Sequence, residues 1–351
     1  MSVTRCAARL AGGGAALAFF AVFVAGTGGI AQAPAPVAAA QADIQTVRVI
    51  SFGGVATIPL LAAEAQGLFA KHGIKAVVEF TPNSTVLRQG LAAGKYDIAH
   101  AAVDNAVAMV ETDGADVVIA LGSDDSMTEL IVQSEIGSIA DLRGKTVAVD
   151  APNTAYALQL RKILLMKGLV AGQDYTMKAV GGTPQRLQAM LQDKELAASM
   201  LNPPSSIQAK RGGLKSLGAT SQIIGAYQGV GGFALRSWAA ANRPVFVRYL
   251  AAYVEGLRWF LSPANKTEAL ALLATGLKVT PEVASDAYAQ ALDAKGGLFP
   301  DARLNVDGLK NVLKLRAEIE KQWQGTPPAA DKYYDLSYHQ AALALLAKGG
   351  R

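Results

Sequence analysis

The residues best suited to contacting a small molecule stand where strand patterns change into helix patterns. These corners carry Ser, Thr, Asn, Asp and Gly, whose hydroxyl, amide, carboxylate and backbone N–H groups can hydrogen-bond to a polar ligand. The same side chains are preferred helix N-caps, so each of them alone fits a structural role equally well. Because strand ends converge at such corners, the set is predicted to line a binding cleft. Its members are Phe52, Gly53, Gly54, Thr57, Asn83, Ser84, Thr85, Val103, Asp104, Asn105, Ser126, Asn153, Thr154, Tyr156 and Asn202.

Some of these residues predict a particular kind of contact. Gly53 and Gly54 would let backbone N–H groups approach a ligand closely, or they simply form a tight turn. Phe52 and Tyr156 could stack on a planar ligand, although aromatic residues near strand ends more often belong to the core. Asp104 is expected to be a helix cap. In a binding site it would favour a ligand with a cationic or hydrogen-bond-donating group.

Two glycine-rich segments imitate phosphate-binding loops without the structure that such loops need. In Gly144-Lys145-Thr146 the glycine required five residues earlier is replaced by Ile139, and a strand follows instead of a helix. The segment 229–234 matches G-x-G-x-x-A but also leads into a strand. We therefore predict a hinge at residues 229–234 and no dinucleotide site.

The chain shows no pattern that predicts an enzyme or a metal site. The motif G-x-S-x-G of serine hydrolases does not occur. Asp124 and Asp125 are adjacent, so they are expected to form a solvated hinge turn and not an acid–base pair. His72, His100 and His339 are scattered, and His100, on a strand, is expected to be packed or hydrogen-bonded. We predict no catalytic residue, no metal and no cofactor.

Strands and helices alternate along most of the chain, in a rhythm that predicts parallel sheets with helices on both faces. One such unit ends near Ser126, and a second ends near Gly231. We predict an α/β fold of two lobes, each a mainly parallel sheet flanked by helices, joined by two hinge crossovers. The first lobe is discontinuous, with residues 43–125 and 231–351, and includes the C-terminal helices. The second lobe comprises residues 126–230.

The composition excludes several classes of protein. The 351-residue chain is 51% hydrophobic and 17% charged, which is typical of a folded protein and not of a disordered one. Its formal net charge of +5 comes without a dense run of Lys and Arg, so no nucleic-acid partner is predicted. The single cysteine, Cys6, excludes disulfides within the chain and Cys-rich zinc sites.

The N-terminal 42 residues have the pattern of a secretory signal peptide. Arg5 and Arg9 form a basic head, and an apolar stretch follows from Leu10 to Val24. Two A-x-A cleavage motifs follow, ending at Ala33 and Ala42. Cleavage after Ala42 is favoured, because cleavage after Ala33 would make a proline the first residue of the mature chain. An uncleaved membrane anchor is the alternative. We predict an exported, periplasmic protein whose mature chain has no membrane-spanning segment.

Three further segments carry a family likeness. They are residues 63–74 (AEAQGLFAKHGI), 91–99 (LAAGKYDIA) and 141–149 (DLRGKTVAV). In order and spacing they resemble segments of the periplasmic substrate-binding proteins of ABC importers, which have the type II fold. The branch most similar to this chain contains the sulfonate, taurine and thiamine-precursor binding proteins.

The resemblance implies a clamp that closes on its ligand by movement at a hinge. Helix N-termini at the cleft suit a carboxylate or sulfonate, because they present free N–H groups and partial positive charge. The implied function is capture of a small organic anion or zwitterion and its delivery to an ABC permease in the inner membrane. The protein is expected to be a monomer without enzymatic activity.

Two alternatives remain open at this stage. One is an enzyme of pyrimidine-precursor synthesis on the same scaffold, although the enzyme that this fold resembles carries a Cys-rich iron motif. Without Cys6 the mature chain has no cysteine, and export also opposes that chemistry. The other alternative is a sensory protein that presents a bound ligand to a receptor.

Overall fold

The computed structural model describes residues 44–349 and contains two five-stranded sheets with helices packed on them. The strands are β1 Gln45–Ser51, β2 Ile74–Phe80, β3 Ile98–Ala102, β4 Val117–Gly122, β5 Glu129–Val132, β6 Thr146–Val149, β7 Thr176–Ala179, β8 Leu196–Leu201, β9 Lys215–Ala219 and β10 Val230–Leu235. The helices are α1 Ile58–Ala65, α2 Leu68–Lys71, α3 Ser84–Ala92, α4 Asp104–Glu111, α5 Ala155–Leu165, α6 Thr183–Gln192, α7 Ser205–Arg211, α8 Thr220–Ile224, α9 Arg236–Ala241, α10 Arg243–Leu261, α11 Lys266–Leu277, α12 Pro281–Ala291, α13 Val306–Ile319 and α14 Ser337–Gly349. We call each sheet, with the helices that pack on it, a lobe.

In each sheet one strand runs against the other four. The strand order is β2-β1-β3-β10-β4 in the first sheet and β7-β6-β8-β5-β9 in the second. Strand β10 is antiparallel to β3 and β4, and strand β5 is antiparallel to β8 and β9. The pairs β1–β2, β1–β3, β6–β7 and β6–β8 are parallel. The prediction of two mainly parallel sheets flanked by helices is confirmed.

The two reversed strands are the first that the chain enters after each passage between the sheets. The chain leaves the first sheet at Gly122 and enters the second at Glu129. It leaves the second sheet at Ala219 and returns to the first at Val230. Each passage starts at the carboxyl end of a strand and arrives beside other carboxyl ends, so the next strand must run back against its neighbours. The carboxyl edges of the two sheets therefore lie close together.

Asp124 joins the two passages to each other. Its Oδ1 accepts a hydrogen bond from the N–H of Ser126 at 2.8 Å, and its Oδ2 accepts one from the N–H of Val230 at 3.2 Å. Its backbone oxygen accepts from the N–H of Gly229 at 2.9 Å. Asp124 is only 2% exposed, so the expectation of a solvated turn is wrong for this residue. Its carboxylate turns inward because backbone donors of both passages surround it.

Both faces of each sheet are covered, as parallel sheets require. In the first sheet, Val47 and Val49 pack with α1 and α10, whereas Ile50 faces the opposite layer, which includes residues of α4 and α13. In the second sheet, Val147 and the neighbouring Ala148 belong to separate core clusters in the same way. Successive side chains of a strand point to opposite faces of the sheet. Each apolar strand therefore contributes side chains to the core on both sides of its sheet.

Two local features differ from the sequence pattern. Helical periodicity predicts a helix over residues 306–323, but α13 ends at Ile319 because Lys321 and Trp323 have positive φ angles of 57° and 52°. Strand β9 and helix α8 follow each other directly and are short, so their residues carry too little periodicity to predict them. No helix within residues 44–349 is both long and apolar enough to cross a bilayer.

Helices α1 and α10 approach each other closely at Gly256, which has room for hydrogen only. A Cβ there would lie 2.6 Å from the backbone oxygen of Pro59 and 2.8 Å from the backbone nitrogen of Ala63. Both neighbours are main-chain atoms, so they cannot turn aside as a flexible side chain does. The glycine thus sets the distance between the two helices.

Replacing this glycine tests the close approach. Gly256→Ala gains up to about 1 kcal/mol of helix propensity, but overpacking against the backbone costs about 1–3 kcal/mol and should dominate. We expect a net loss of unfolding free energy, measured by urea titration. Gly349→Ala is the matched control, because Gly349 is also helical and its Cβ would meet no atom within 4 Å. Equal stabilisation by the two alanines would contradict the packing argument.

The burial of Asp124 predicts a pH dependence of stability. Burial raises the pKa of Asp124 from 3.8 to about 6, so the folded protein holds a proton that the unfolded chain releases. Between these values the folded state binds more protons, and stability contributed by this group falls as pH rises. The difference corresponds to about 3 kcal/mol.

Asp124→Asn removes this titration. Urea unfolding of wild type and variant at pH 4, 5, 6 and 7 should show the wild type losing stability relative to the variant over this range. Parallel pH profiles of the two proteins would show that Asp124 is not the titrating group.

Candidate functional site

A cavity lies at the carboxyl edges of the two sheets and is lined by residues of both lobes. It contains about 550 Å³ of space free of protein atoms, with the solvent at its mouth included. Phe52 follows β1, Asp150 follows β6 and Asn202 follows β8, so three strand ends meet there. This is where ligands bind in open α/β sheets.

Nine of the fifteen residues predicted to line a cleft surround this cavity. They are Phe52, Gly53, Gly54, Thr57, Ser84, Asn105, Thr154, Tyr156 and Asn202. These residues come from the corners after β1, β3, β6 and β8 and from the start of α3. The structure thus brings together residues that lie up to 150 positions apart in the sequence.

Four of the other six predicted residues have mainly structural contacts or face solvent. Asn83 is the N-cap of α3, and its Oδ1 accepts a hydrogen bond from the N–H of Val86 at 2.8 Å. Val103 is fully buried in the core, and Thr85 is exposed on the surface of α3. Ser126 belongs to a buried hydrogen-bonded group at the hinge, where its Oγ accepts from Nε2 of Gln159 at 3.0 Å. The structure does not place these four at the cavity wall.

Asp104 and Asn153, the last two, contact Arg316 of α13. The Nε and Nη2 of Arg316 donate to the two carboxylate oxygens of Asp104 at 2.5 and 2.7 Å, and both side chains are 1% exposed. Nη2 also lies 3.3 Å from the backbone oxygen of Asn153, in the other lobe. Asp104 is thus neither a side-chain cap nor a residue of the cavity wall, because Arg316 occupies its carboxylate.

Arg186 lines the cavity and was not among the sequence candidates. It lies on α6 and is 2% exposed. Its Nε donates to Ser199 Oγ at 2.9 Å, and its Nη1 and Nη2 donate to the backbone oxygens of Gly181 and Met200 at 2.5 and 2.9 Å. No carboxylate of residues 44–349 lies within 4.0 Å of this guanidinium. Burial lowers the pKa of Arg186 to about 10, so it remains a cation at neutral pH.

No local pattern separates Arg186 from the many surface arginines and lysines. The only available signal is its place in the first turn of a helix that starts at Thr183-Pro184, after a glycine pair. Gly182 and Thr183 line the cavity together with it.

His100 lies at the cavity on strand β3 and is completely buried. Its Nε2 lies 2.9 Å from the hydroxyl oxygen of Tyr249. Its ring stacks on the ring of Tyr253, with the two centroids 4.7 Å apart. Burial lowers its pKa to about 3, so the imidazole is neutral at physiological pH. The expectation that this histidine is packed and hydrogen-bonded is confirmed, but the residue also reaches the cavity wall.

Hydrogen bonds join the two lobes beside the cavity. The N–H of Gly182 donates to the backbone oxygen of Pro82 at 2.9 Å, and the N–H of Val55 donates to that of Pro203 at 3.3 Å. The N–H of Ser84 donates to Oδ2 of Asp150 at 3.1 Å. The walls of the cavity are therefore in direct contact around its rim.

The cavity wall supplies hydrogen-bonding groups and one buried cation, Arg186. Residues 44–349 include no group of three or more His, Cys, Asp and Glu side chains that could hold a metal ion. The arrangement can hold a small polar molecule and exclude water from it.

The fold resembles solved binding proteins of low sequence identity. The periplasmic nitrate-binding protein NrtA of Synechocystis PCC 6803 superimposes with a TM-score of 0.72 at 17% identity, over 86% of this chain and 89% of that one. The alkanesulfonate-binding protein SsuA of Xanthomonas axonopodis pv. citri, bound to MOPS, gives a TM-score of 0.67 at 18% identity, over 84% of this chain and 100% of that one. Both likenesses establish the shared fold.

The sequence itself also matches known proteins. A protein of Brucella abortus strain 2308, named as a binding protein, is 25% identical over 225 residues, which are 64% of this chain and 68% of that protein. The model of the NMT1-like family matches residues 41–274, about two thirds of the chain. The chain therefore belongs to the NMT1-like family.

Proposed function

We propose that the protein is an exported solute-binding protein that captures a small organic anion or zwitterion and delivers it to an ABC importer. The observation that carries this proposal is the cavity between the lobes, where the buried Arg186 lines ligand space and no carboxylate of residues 44–349 lies within 4.0 Å of it. Unpaired buried cations are costly, so an anionic ligand group would stabilise this one. The fold is that of proteins named for nitrate and alkanesulfonate binding.

The same proposal assigns the lobes and the hinge. The first lobe would comprise residues 43–125 and 231–351, and the second residues 126–230. Two chain passages held together at Asp124 and Gly229 can bend together while each sheet stays rigid. A ligand that contacts both lobes favours the closed state through its higher affinity for that state.

Export follows from the N-terminal pattern, which lies outside the described residues. A signal peptide over residues 1–42, removed after Ala42, would deliver the mature chain to the periplasm. NrtA and the aliphatic sulphonate-binding protein SsuA of Escherichia coli, which has a similar fold, are both named as periplasmic proteins. The proposal includes no catalytic step, since binding and release leave the solute unchanged.

A thermal-shift screen of protein purified without refolding tests the function. The panel contains alkanesulfonates, aromatic carboxylates, amino-sulfonates and amino acids. At 100 times Kd a true ligand adds about 2.7 kcal/mol of stability, which raises Tm by about 5 °C. If no compound of the panel raises Tm, the proposed function is wrong.

Filling the cavity tests its location. Gly53 lines the cavity, and a Cβ there meets no atom within 4 Å, so Gly53→Phe should occupy ligand space without disturbing the fold. We expect the ligand-induced rise in Tm to disappear while the Tm of the free protein stays within about 2 °C. The control is Gly296→Phe, at an equally open position away from the cavity. Retained binding in the Gly53 variant would place the site elsewhere.

A further inference from the structure

Three residues of the cavity wall each have a buried polar atom without a hydrogen-bond partner in the described protein. These atoms are His100 Nδ1, Asp150 Oδ1 and Asn202 Oδ1. One of the two oxygens belongs to a carboxylate and the other to an amide, so both can only accept hydrogen bonds. Leaving a buried acceptor unpaired is unfavourable. The cavity is therefore complementary to a ligand that donates hydrogen bonds at this wall.

The charges of the wall balance. Arg186 contributes one positive charge and Asp150 one negative charge, and no ion pair joins them within 4.0 Å. His100 is neutral. A ligand with a single negative charge would meet the free carboxylate oxygen of Asp150 as well as the guanidinium, and like charges repel in a site of low dielectric.

Arg186 has N–H groups that make no hydrogen bond to the described residues. A guanidinium carries five N–H groups, and the contacts with Gly181, Ser199 and Met200 use three of them. The wall thus presents a cation with remaining donors and, separately, two bare acceptor oxygens. Ala101, Ala102 and Ala155 also line the cavity and suit a short apolar spacer between two polar ligand groups.

Building on the proposed function, we propose that the ligand is a zwitterion. Its protonated amino group is held by Asp150 and Asn202, and its acidic group faces Arg186. Asp150 is then the residue that determines specificity, because it separates amino-bearing acids from plain organic anions.

The test measures affinity for three matched pairs by titration calorimetry. Each pair is an amino-bearing acid and the same acid without its amino group: taurine and ethanesulfonate, β-alanine and propionate, phenylalanine and 3-phenylpropionate. A charged hydrogen bond in a buried site changes affinity by about 10- to 100-fold. We expect the wild type to bind the amino member of at least one pair that much more tightly.

Asp150→Asn gives a second readout that a purely structural role would not move. The asparagine oxygen can still accept from the N–H of Ser84, so the lobe contact is retained, while its NH₂ group replaces the acceptor that faces the ligand. The preference for the amino member should fall by at least about 10-fold, and the plain acid should bind no worse than before. Asp193→Asn, at a half-buried position of the same lobe outside the cavity lining, should leave the preference unchanged.

The outcomes separate the two proposals. Equal or tighter binding of the plain acids by the wild type overturns the zwitterion inference and leaves the proposed function standing. Binding only of other compounds in the thermal-shift panel, none with an amino group, also overturns the inference alone. An unchanged preference in Asp150→Asn overturns the role of Asp150. If no compound of either set binds, both proposals fail.

Discussion

The carboxylate of Asp124, buried between the two chain passages, holds the molecule in the arrangement on which its cavity depends. It accepts backbone hydrogen bonds from Ser126 in one passage and from Val230 at the end of the other. Two passages tied side by side keep the carboxyl edges of the sheets close together, since each begins at such an edge. Further hydrogen bonds between the lobes, from Gly182 to Pro82 and from Ser84 to Asp150, close the rim of the cavity.

Burial sets the character of that cavity. The guanidinium of Arg186 is removed from water, and in the described part of the chain no carboxylate lies within 4.0 Å of it and no donor satisfies the second oxygen of Asp150. A buried polar group without a partner is unfavourable unless a ligand or a water molecule satisfies it. Arg186, Asp150 and Asn202 belong to the second lobe, whereas His100, whose Nδ1 also has no partner among the described residues, lies on the first. Under the proposed function, a ligand that satisfies all of them would contact both lobes.

Local patterns were sufficient for most of the fold and for part of the site. The corner Phe52-Gly53-Gly54 and the residues Thr154 and Tyr156 were recognisable because a strand pattern, a turn and a helix start follow one another there. Asp104 has the same local signature, yet its carboxylate is taken by Arg316, 212 positions further along the chain. A helix-start pattern carries no information about such a distant partner.

By itself, the sequence determined the alternation of strands and helices, the two α/β sheets and the polar corners after their strands, because these depend on apolar periodicity and turn residues within short windows. Only the tertiary structure decided which corner side chains face the cavity and which are satisfied elsewhere. It also decided that Arg186 and Asp150 face the same cavity without an ion pair within 4.0 Å. The reason is physical: burial and charge balance depend on what lies across the cavity, and those neighbours come from parts of the chain far away in sequence.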